Sequence, residues 1–299
     1  MTWLKHPKFI RVRDSVLKAL TEKERHFRKI NSVIFLCGGR SSKPRERLSQ
    51  YISSQAIPSL IFSAEDVWTI LAKQAKLNAL EMEEQLAQLA DLVIIIVESP
   101  GTYTELGAFS LSESLRKKLL PILDPIYAGD GSFIETGPIR WVDSDSDFSP
   151  SIWVNLNTIL DASPEIDDRL GRLSKPSMTR ITDLSKSPKH LLYFICELAG
   201  IFGPCPIDHI QFYVKEIIGE INSDQISLLT SLANAMNLIN SLVSSSGESL
   251  FYQPLSNGKL ITYRLTPYFT LPSLRAKVLS VMQTIGPANE AIKLIVRGK

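Results

Sequence analysis

Residues 92–110 read LVIIIVESPGTYTELGAFS. Leu92–Val97 is an unbroken β-branched and apolar run, which predicts a strand buried on both faces. Ser99, Pro100 and Gly101 end it, Thr102 is placed to cap the following helix, and Glu105 falls in that helix's first turn. The stretch therefore predicts a strand, a tight glycine turn and a helix N-terminus with one carboxylate mounted on it. In an open parallel sheet, the crevice at the carboxyl end of such a strand is where ligands bind. Backbone N–H groups and the helix dipole point into it. A carboxylate placed there tends to stay ionised, which suits a nucleophile. On the residues alone, the plainer reading of Glu105 is a helix-start carboxylate.

Upstream, residues 7–29 look helical and lead into a first strand, Val33–Cys37, followed by Gly38, Gly39 and Arg40. A glycine pair directly after a strand lets the backbone approach a phosphate, and Arg40 is placed to pair with one. A second strand spans Ser59–Phe62. Ser63 then caps a long helix from about Glu65 to Ala90, with Asp66 in the capping-box position and Val67, Leu71, Ala75, Met82, Leu86 and Leu89 as its buried stripe. Glu65 either faces the cleft or serves the helix dipole. Leu119–Ile126 reads as a fourth strand, and the acidic, Ser-rich stretch Asp143–Pro150 as a surface loop. Strands alternating with helices predict a doubly wound parallel sheet.

Four segments are expected: a basic helical arm over residues 1–30, the α/β domain over 31–160, a polar linker over 161–188 and a second domain over 189–299. In the last, helices are expected over Leu191–Ala199, Ile207–Ile218 and from Asp224 to about Leu242. A hairpin follows with Asn257-Gly258 at its turn. Three helices and a hairpin make a winged-helix plan. The third helix carries no Lys or Arg, which favours protein docking over sequence-specific DNA reading. The amphipathic end, Leu274–Val296, either packs on this domain or mediates assembly of a homo-oligomer.

The chain has 299 residues, enough for two domains, and no apolar run of membrane-spanning length. Cys37, Cys196 and Cys205 form no C-x-x-C pair and read as reduced thiols of a cytoplasmic protein. His6, His26, His190 and His209 are scattered, so no metal is expected, and no cofactor either. His209 beside Asp208 reads as a helix-start residue. Formal net charge is +2, yet residues 1–50 hold thirteen Lys and Arg against four Asp and Glu, a local balance of +9. Such an arm is either a solvated helix face or a patch for nucleic acid or a nucleoprotein.

The segment GTYTELG, Gly101–Gly107, resembles the G-T-x-x-E-x-G core of nucleoside 2-deoxyribosyltransferases. Ile34–Gly39 resembles that family's first strand and glycine turn, and Asp91 fits it too. Pro100-Gly101 and Glu105 are similar to the wider Rossmann-like group that includes phosphoribohydrolases. The resemblance extends over most of the chain to transferase-like effector proteins encoded beside bacterial retron reverse transcriptases. These share an ESPGTYTELGAFS-like block, a SFIxxGPI-like block (Ser132–Ile139 here) and a C-terminal winged-helix domain. The resemblance implies a Rossmann-like catalytic domain in which Glu105 attacks the anomeric carbon of a sugar and displaces the base. It also implies a toxic activity held in check by a reverse transcriptase with its RNA–DNA hybrid (msDNA).

Two positions depart from the deoxyribosyltransferase pattern: Ser99 stands where an Asp usually handles the base, and Phe35 where a Tyr is usual. This points away from base exchange on free deoxynucleosides and towards N-glycosidic cleavage in a larger nucleotide. A nicotinamide dinucleotide (NAD) suits, because its pyridinium leaves without protonation. The expected site is Glu105 as catalytic residue, with Gly38, Gly39, Arg40, Glu65, Ser99, Gly101 and Thr102 binding substrate. The competing expectation is a nucleotide-sensing module fused to a winged-helix regulator, with Glu105 binding ribose hydroxyls.

Overall fold

The structure is a computed structural model that describes residues 3–21, 26–29, 31–55, 59–64, 79–129, 131–173, 178–254, 261–263 and 270–297. The chain divides into two compact units. Residues 31–176 form one, and residues 1–30 together with 177–299 form the other. The boundary after Pro176 falls inside the stretch expected as a linker, while the N-terminal segment joins the second unit. That segment supplies helix α1 (Pro7–Thr21) and strand β1 (His26–Lys29).

The unit of residues 31–176 is built on β2 (Ser32–Cys37), α2 (Lys43–Ser54), β3 (Ser59–Phe62), α3 (Ala79–Leu89), β4 (Leu92–Ile96), α4 (Pro100–Leu111), α5 (Glu113–Arg116), β5 (Leu119–Leu123), α6 (Arg140–Asp145), β6 (Ile152–Trp153) and α7 (Ser163–Gly171). Its five strands run parallel in the order β3-β2-β4-β5-β6, which is compatible with a Rossmann-like core. The chain leaves β2 to one side for β3 and returns to the other side for β4. The strand order therefore reverses between β2 and β4, and their carboxyl ends flank a crevice of the kind that binds ligands. β2, β4 and β5 are buried along their whole length, as their continuous apolar runs require. Ile34, Leu36, Ile94 and Ile122 pack against Leu48 of α2 and Ile166 of α7 in one core.

Away from the turn after β4, the structure departs from the sequence-based expectations at three places in this unit. The fourth strand stops at Leu123 because Asp124 caps a short turn, its Oδ1 accepting from Ile126 N at 3.1 Å. Residues 143–150 are a surface loop only in part: Asp143–Asp145 end a helix, and Ser146 and Phe148 turn inwards. Ser146 Oγ donates to Leu119 O at 2.6 Å, and Phe148 is buried. Residues 163–171, inside the expected linker, form α7 and bury Ile166 and Leu170. Glu65, Asp66, Val67, Leu71 and Ala75 lie outside the described residues; of the long helix, Ala79–Leu89 is described, with Leu86 and Leu89 buried.

The other unit adds β7 (Met178–Arg180), α8 (Pro188–Phe202), β8 (Cys205–Pro206), α9 (Ile207–Ile218), α10 (Ser223–Ala235), β9 (Asn240–Val243), β10 (Ser249–Tyr252), β11 (Ile261–Tyr263), α11 (Leu271–Met282) and α12 (Gly286–Arg297). α8 is its buried centre: every residue from His190 to Phe202 is shielded. α1 turns Phe9, Val12, Val16 and Leu20 inwards. Residues 26–29, expected as helix, are strand β1, because that segment pairs antiparallel with both β7 and β11. The third helix ends at Ala235 rather than near Leu242, since Asn237 takes the left-handed conformation (φ 55°) that closes a helix.

The apolar residues beyond it enter β9, and the hairpin is β9–β10, turned at Ser244–Gly247. Asn257-Gly258 lies outside the described residues, and among the described residues the strands on either side of it do not pair with each other: β10 pairs with β8 and β9, and β11 with β1. The three cysteines are buried, and none forms a disulfide among the described residues. No helix among the described residues is long and apolar enough to cross a membrane.

His209, the third residue of α9, is fully buried against the Trp3 ring edge at 4.9 Å. Burial, with Arg13 nearby, pushes its pKa down to about 3. The unfolded chain therefore takes up this proton first as pH falls from about 6.5, and the neutral ring's contribution to stability is lost progressively down to about pH 3. The slope approaches ~1.4 kcal/mol per pH unit within that window. Urea unfolding at a series of pH values should show this limb. His209→Phe should flatten it; an unchanged limb would assign the acid sensitivity elsewhere.

Candidate functional site

The glycine turn after β2 and the turn after β4 meet at the switch point. Glu98, the second residue beyond β4, accepts a hydrogen bond on Oε1 from Gly39 N at 2.8 Å. A Cβ built on Gly38 would lie 3.3 Å from that oxygen and 3.1 Å from Arg45 Cβ; one on Gly39 would lie 3.4 Å from it. Both glycines therefore serve to bring the backbone down onto a carboxylate. This alters the expected anion cradle: the Gly39 N–H already serves an anionic side chain, so a phosphate there meets both a used donor and a like charge.

The helix start also sits differently. Ser99, not Thr102, is the N-cap of α4, and Pro100 fills its first turn. Thr102 is the third helical residue and closes a capping box with Ser99. Its hydroxyl accepts from Glu98 N and Ser99 N, both at 3.0 Å, and donates to Ser99 O at 2.9 Å. Those three bonds use the full capacity of a hydroxyl, and Thr102 is buried. Ser99 and Thr102 thus fix the turn's shape. Gly101 lies within the helix, exposed, and a Cβ there would have Ser99 Oγ at 3.8 Å as its one near neighbour among the described residues.

Gly38, Gly39, Ser99, Gly101 and Thr102 are thus gathered around Glu98, which opens the ESPGTYTELGAFS block but is not among the expected site residues. Glu105 lies in the second turn of α4 rather than the first, so the helix terminus acts on it less than expected. It is half-buried, with Oε2 shielded from solvent. Arg40 is exposed beyond the turn, next to Ser41 in the left-handed region (φ 59°). Asp91 belongs to the opposite edge of the sheet, where Oδ2 accepts from Val33 N at 2.8 Å.

On the carboxyl edge beyond β4, burial and a hydrogen bond with Tyr127 raise Tyr103 above the ordinary phenol range. A separate cavity of about 500 Å³ lies beside β6, lined by Gly129, Gly131, Glu135, Thr136, Arg140 and Trp153 among others, and contains none of the expected site residues. In its wall Glu135 accepts from Gly129 N and Gly131 N, each at 3.0 Å. No group of three or more potential metal ligands occurs among the described residues.

The crevice therefore offers one positioned acceptor, the carboxylate of Glu98; Glu105 lies further along α4. Such an acceptor suits a ligand that brings a hydrogen-bond donor. An Escherichia coli protein described as "Retron Ec86 putative ribosyltransferase/DNA-binding protein" is 42% identical over 115 residues, covering 37% of each chain. Its counterpart from retron Ec73, described in the same words, is 27% identical over 227 residues, covering 68% of this chain and 72% of the relative. The chain thus matches little more than a third of the length of the first of these relatives. The STM3845 retron effector protein family matches residues 41–241, from the glycine turn after β2 to the start of the β9–β10 hairpin, and the chain belongs to that family.

Proposed function

We propose that this retron effector is an N-glycosidase that cleaves the base–sugar bond of a nucleotide, with a nicotinamide dinucleotide as substrate and Glu105 as nucleophile. The observation that carries the reading is the acceptor-lined switch point, with α4 launched from it by a locked capping box. A Glu105 carboxylate oxygen bonds to the anomeric carbon as the carbon–nitrogen bond breaks, and the base leaves with the electron pair. Nicotinamide leaves as a neutral molecule, so Ser99 in place of a base-protonating acid costs nothing. Water then bonds to the same carbon, the Glu105 ester opens and one proton is released. The test is to incubate the purified protein with nicotinamide dinucleotides, nucleoside triphosphates and deoxynucleosides and to follow free base. No release from any of them would leave nucleotide sensing as the function.

Gly101→Ala separates the fold from the ligand. The helix accepts the methyl group, so melting should stay level or rise slightly, by ~0.5–1 kcal/mol in stability. Base release should fall about tenfold or more if substrate lies against that backbone. Full activity in the variant would show that it does not.

In the second unit, helix, short strand, two helices and hairpin follow in the order of a winged-helix domain. We infer that it docks the retron reverse transcriptase with its RNA–DNA hybrid without reading sequence, since α10 has no cation. Lys5, Lys8, Arg11 and Lys18 are exposed and without ion pairs among the described residues. Replacing all four by Ala should weaken that association about tenfold near 0.1 M salt. It should also flatten the salt dependence, by up to ~0.9 in log–log slope for each phosphate no longer engaged. Titrations at several salt concentrations check this; an unchanged slope would remove these residues from the interface.

A further inference from the structure

We propose that Glu98 is the residue by which the crevice distinguishes a ribosyl from a 2′-deoxyribosyl group. The inference rests on the reading of the switch point as a nucleotide site and adds the sugar class. Three observations carry it. Glu98 Oε1 accepts from Gly39 N at 2.8 Å, and the Glu98 backbone N–H donates to the Thr102 hydroxyl at 3.0 Å, so the residue is held at its backbone and at the tip of its side chain. Two consecutive glycines bring the backbone onto this carboxylate, the closest approach of an added Cβ being 3.3 Å. Oε2 has no hydrogen-bond partner among the described residues, and Glu98 is only half-buried, so one oriented acceptor faces the crevice at the carboxyl ends of β2 and β4.

An ionised carboxylate accepts and does not donate. A hydroxyl is one donor that satisfies it, and a sugar with adjacent hydroxyls supplies one that a 2′-deoxy sugar lacks. A phosphate is the wrong partner, because it brings charge of the same sign and finds the Gly39 N–H already used. A site built to bond a hydroxyl discriminates strongly against the analogue without it, since its own polar group is then left unpaired.

The experiment is calorimetric titration of the full chain with adenosine diphosphate ribose and with the analogue whose terminal sugar lacks the 2-hydroxyl. The ribosyl form should bind at least about tenfold more tightly. In Glu98→Gln the amide oxygen is engaged by Gly39 and an N–H group faces the ligand, so the preference should fall below about threefold. Glu98→Ala bares the Gly39 N–H and removes the charge, so affinity for inorganic phosphate should rise at least about tenfold, an outcome a merely structural role would not produce. Thermal melting shows whether the variants fold, and the wild-type comparison of the two ligands decides the matter without them. Binding of neither form, equal affinities, or an undiminished preference in folded Glu98→Gln would each overturn the proposal. A ribosyl preference without any base release would sink the catalytic reading and leave this one standing.

Discussion

Glu105→Gln should reduce base release by at least about 10³-fold with no loss of thermal stability. Glutamine keeps the size and hydrogen-bonding reach of the side chain but cannot provide an anionic oxygen to the anomeric carbon. An effect of that size on turnover, with substrate affinity kept, would mark an interaction made only as the bond breaks. Glu105 lies inside α4 and is half-buried, so the substitution disturbs no cap and no strand. Chromatography of released base alongside a melting curve is sufficient. Undiminished release in a variant that melts like the wild type would remove Glu105 from the chemistry.

Gly203→Ala should unfold the second unit at a markedly lower temperature. Gly203 closes α8, and a Cβ there would run into the carbonyl oxygen of Ala199, come within 2.8 Å of Phe251 O and within 2.9 Å of Tyr252 Cα. All three are backbone atoms of α8 and β10, so no side chain can step aside. Overpacking of this kind costs ~1–3 kcal/mol, and enclosure by backbone places it at the upper end. A fall of roughly 5–10 °C follows for a unit of this size. Gly200→Ala is the matched control. Its Cβ meets the end of the Gln253 side chain, at 2.5 Å from Oε1, and that side chain can rotate. Equal melting of the two variants would refute the backbone enclosure.

The parallel sheet was legible because strands buried on both faces write themselves as unbroken apolar runs: Leu92–Val97 and Val33–Cys37 need no context. The presence of α4 was legible too, but Gly101 drew its expected cap to Thr102, three residues beyond Ser99. Glu98 was not. A carboxylate after a strand reads as turn polarity, and its role appears only when parallel pairing of β2 with β4 brings Gly39 beside it from 59 positions away. The second unit was harder for the same reason. Asn257-Gly258 is a strong local turn signal, but Leu250 and Phe251 find partners on β8 and β9, and the turn at Ser244–Gly247 makes the hairpin instead. Residues 26–29 have no strong strand propensity of their own, and two neighbours from the far end of the chain decide them.

Those two neighbours have a consequence for synthesis. β1 leaves the ribosome before the parallel sheet, and its partners β7 and β11 come after it. The sheet unit has all its strands and can close while β1 still waits with both hydrogen-bonding edges bare. An open strand on a nascent chain is a template for joining another chain. The sequence of β1, His-Phe-Arg-Lys, places two fixed positive charges in its four residues. Two such strands on neighbouring polysomal chains would repel each other, and the segment is thereby kept for its own late-arriving partners.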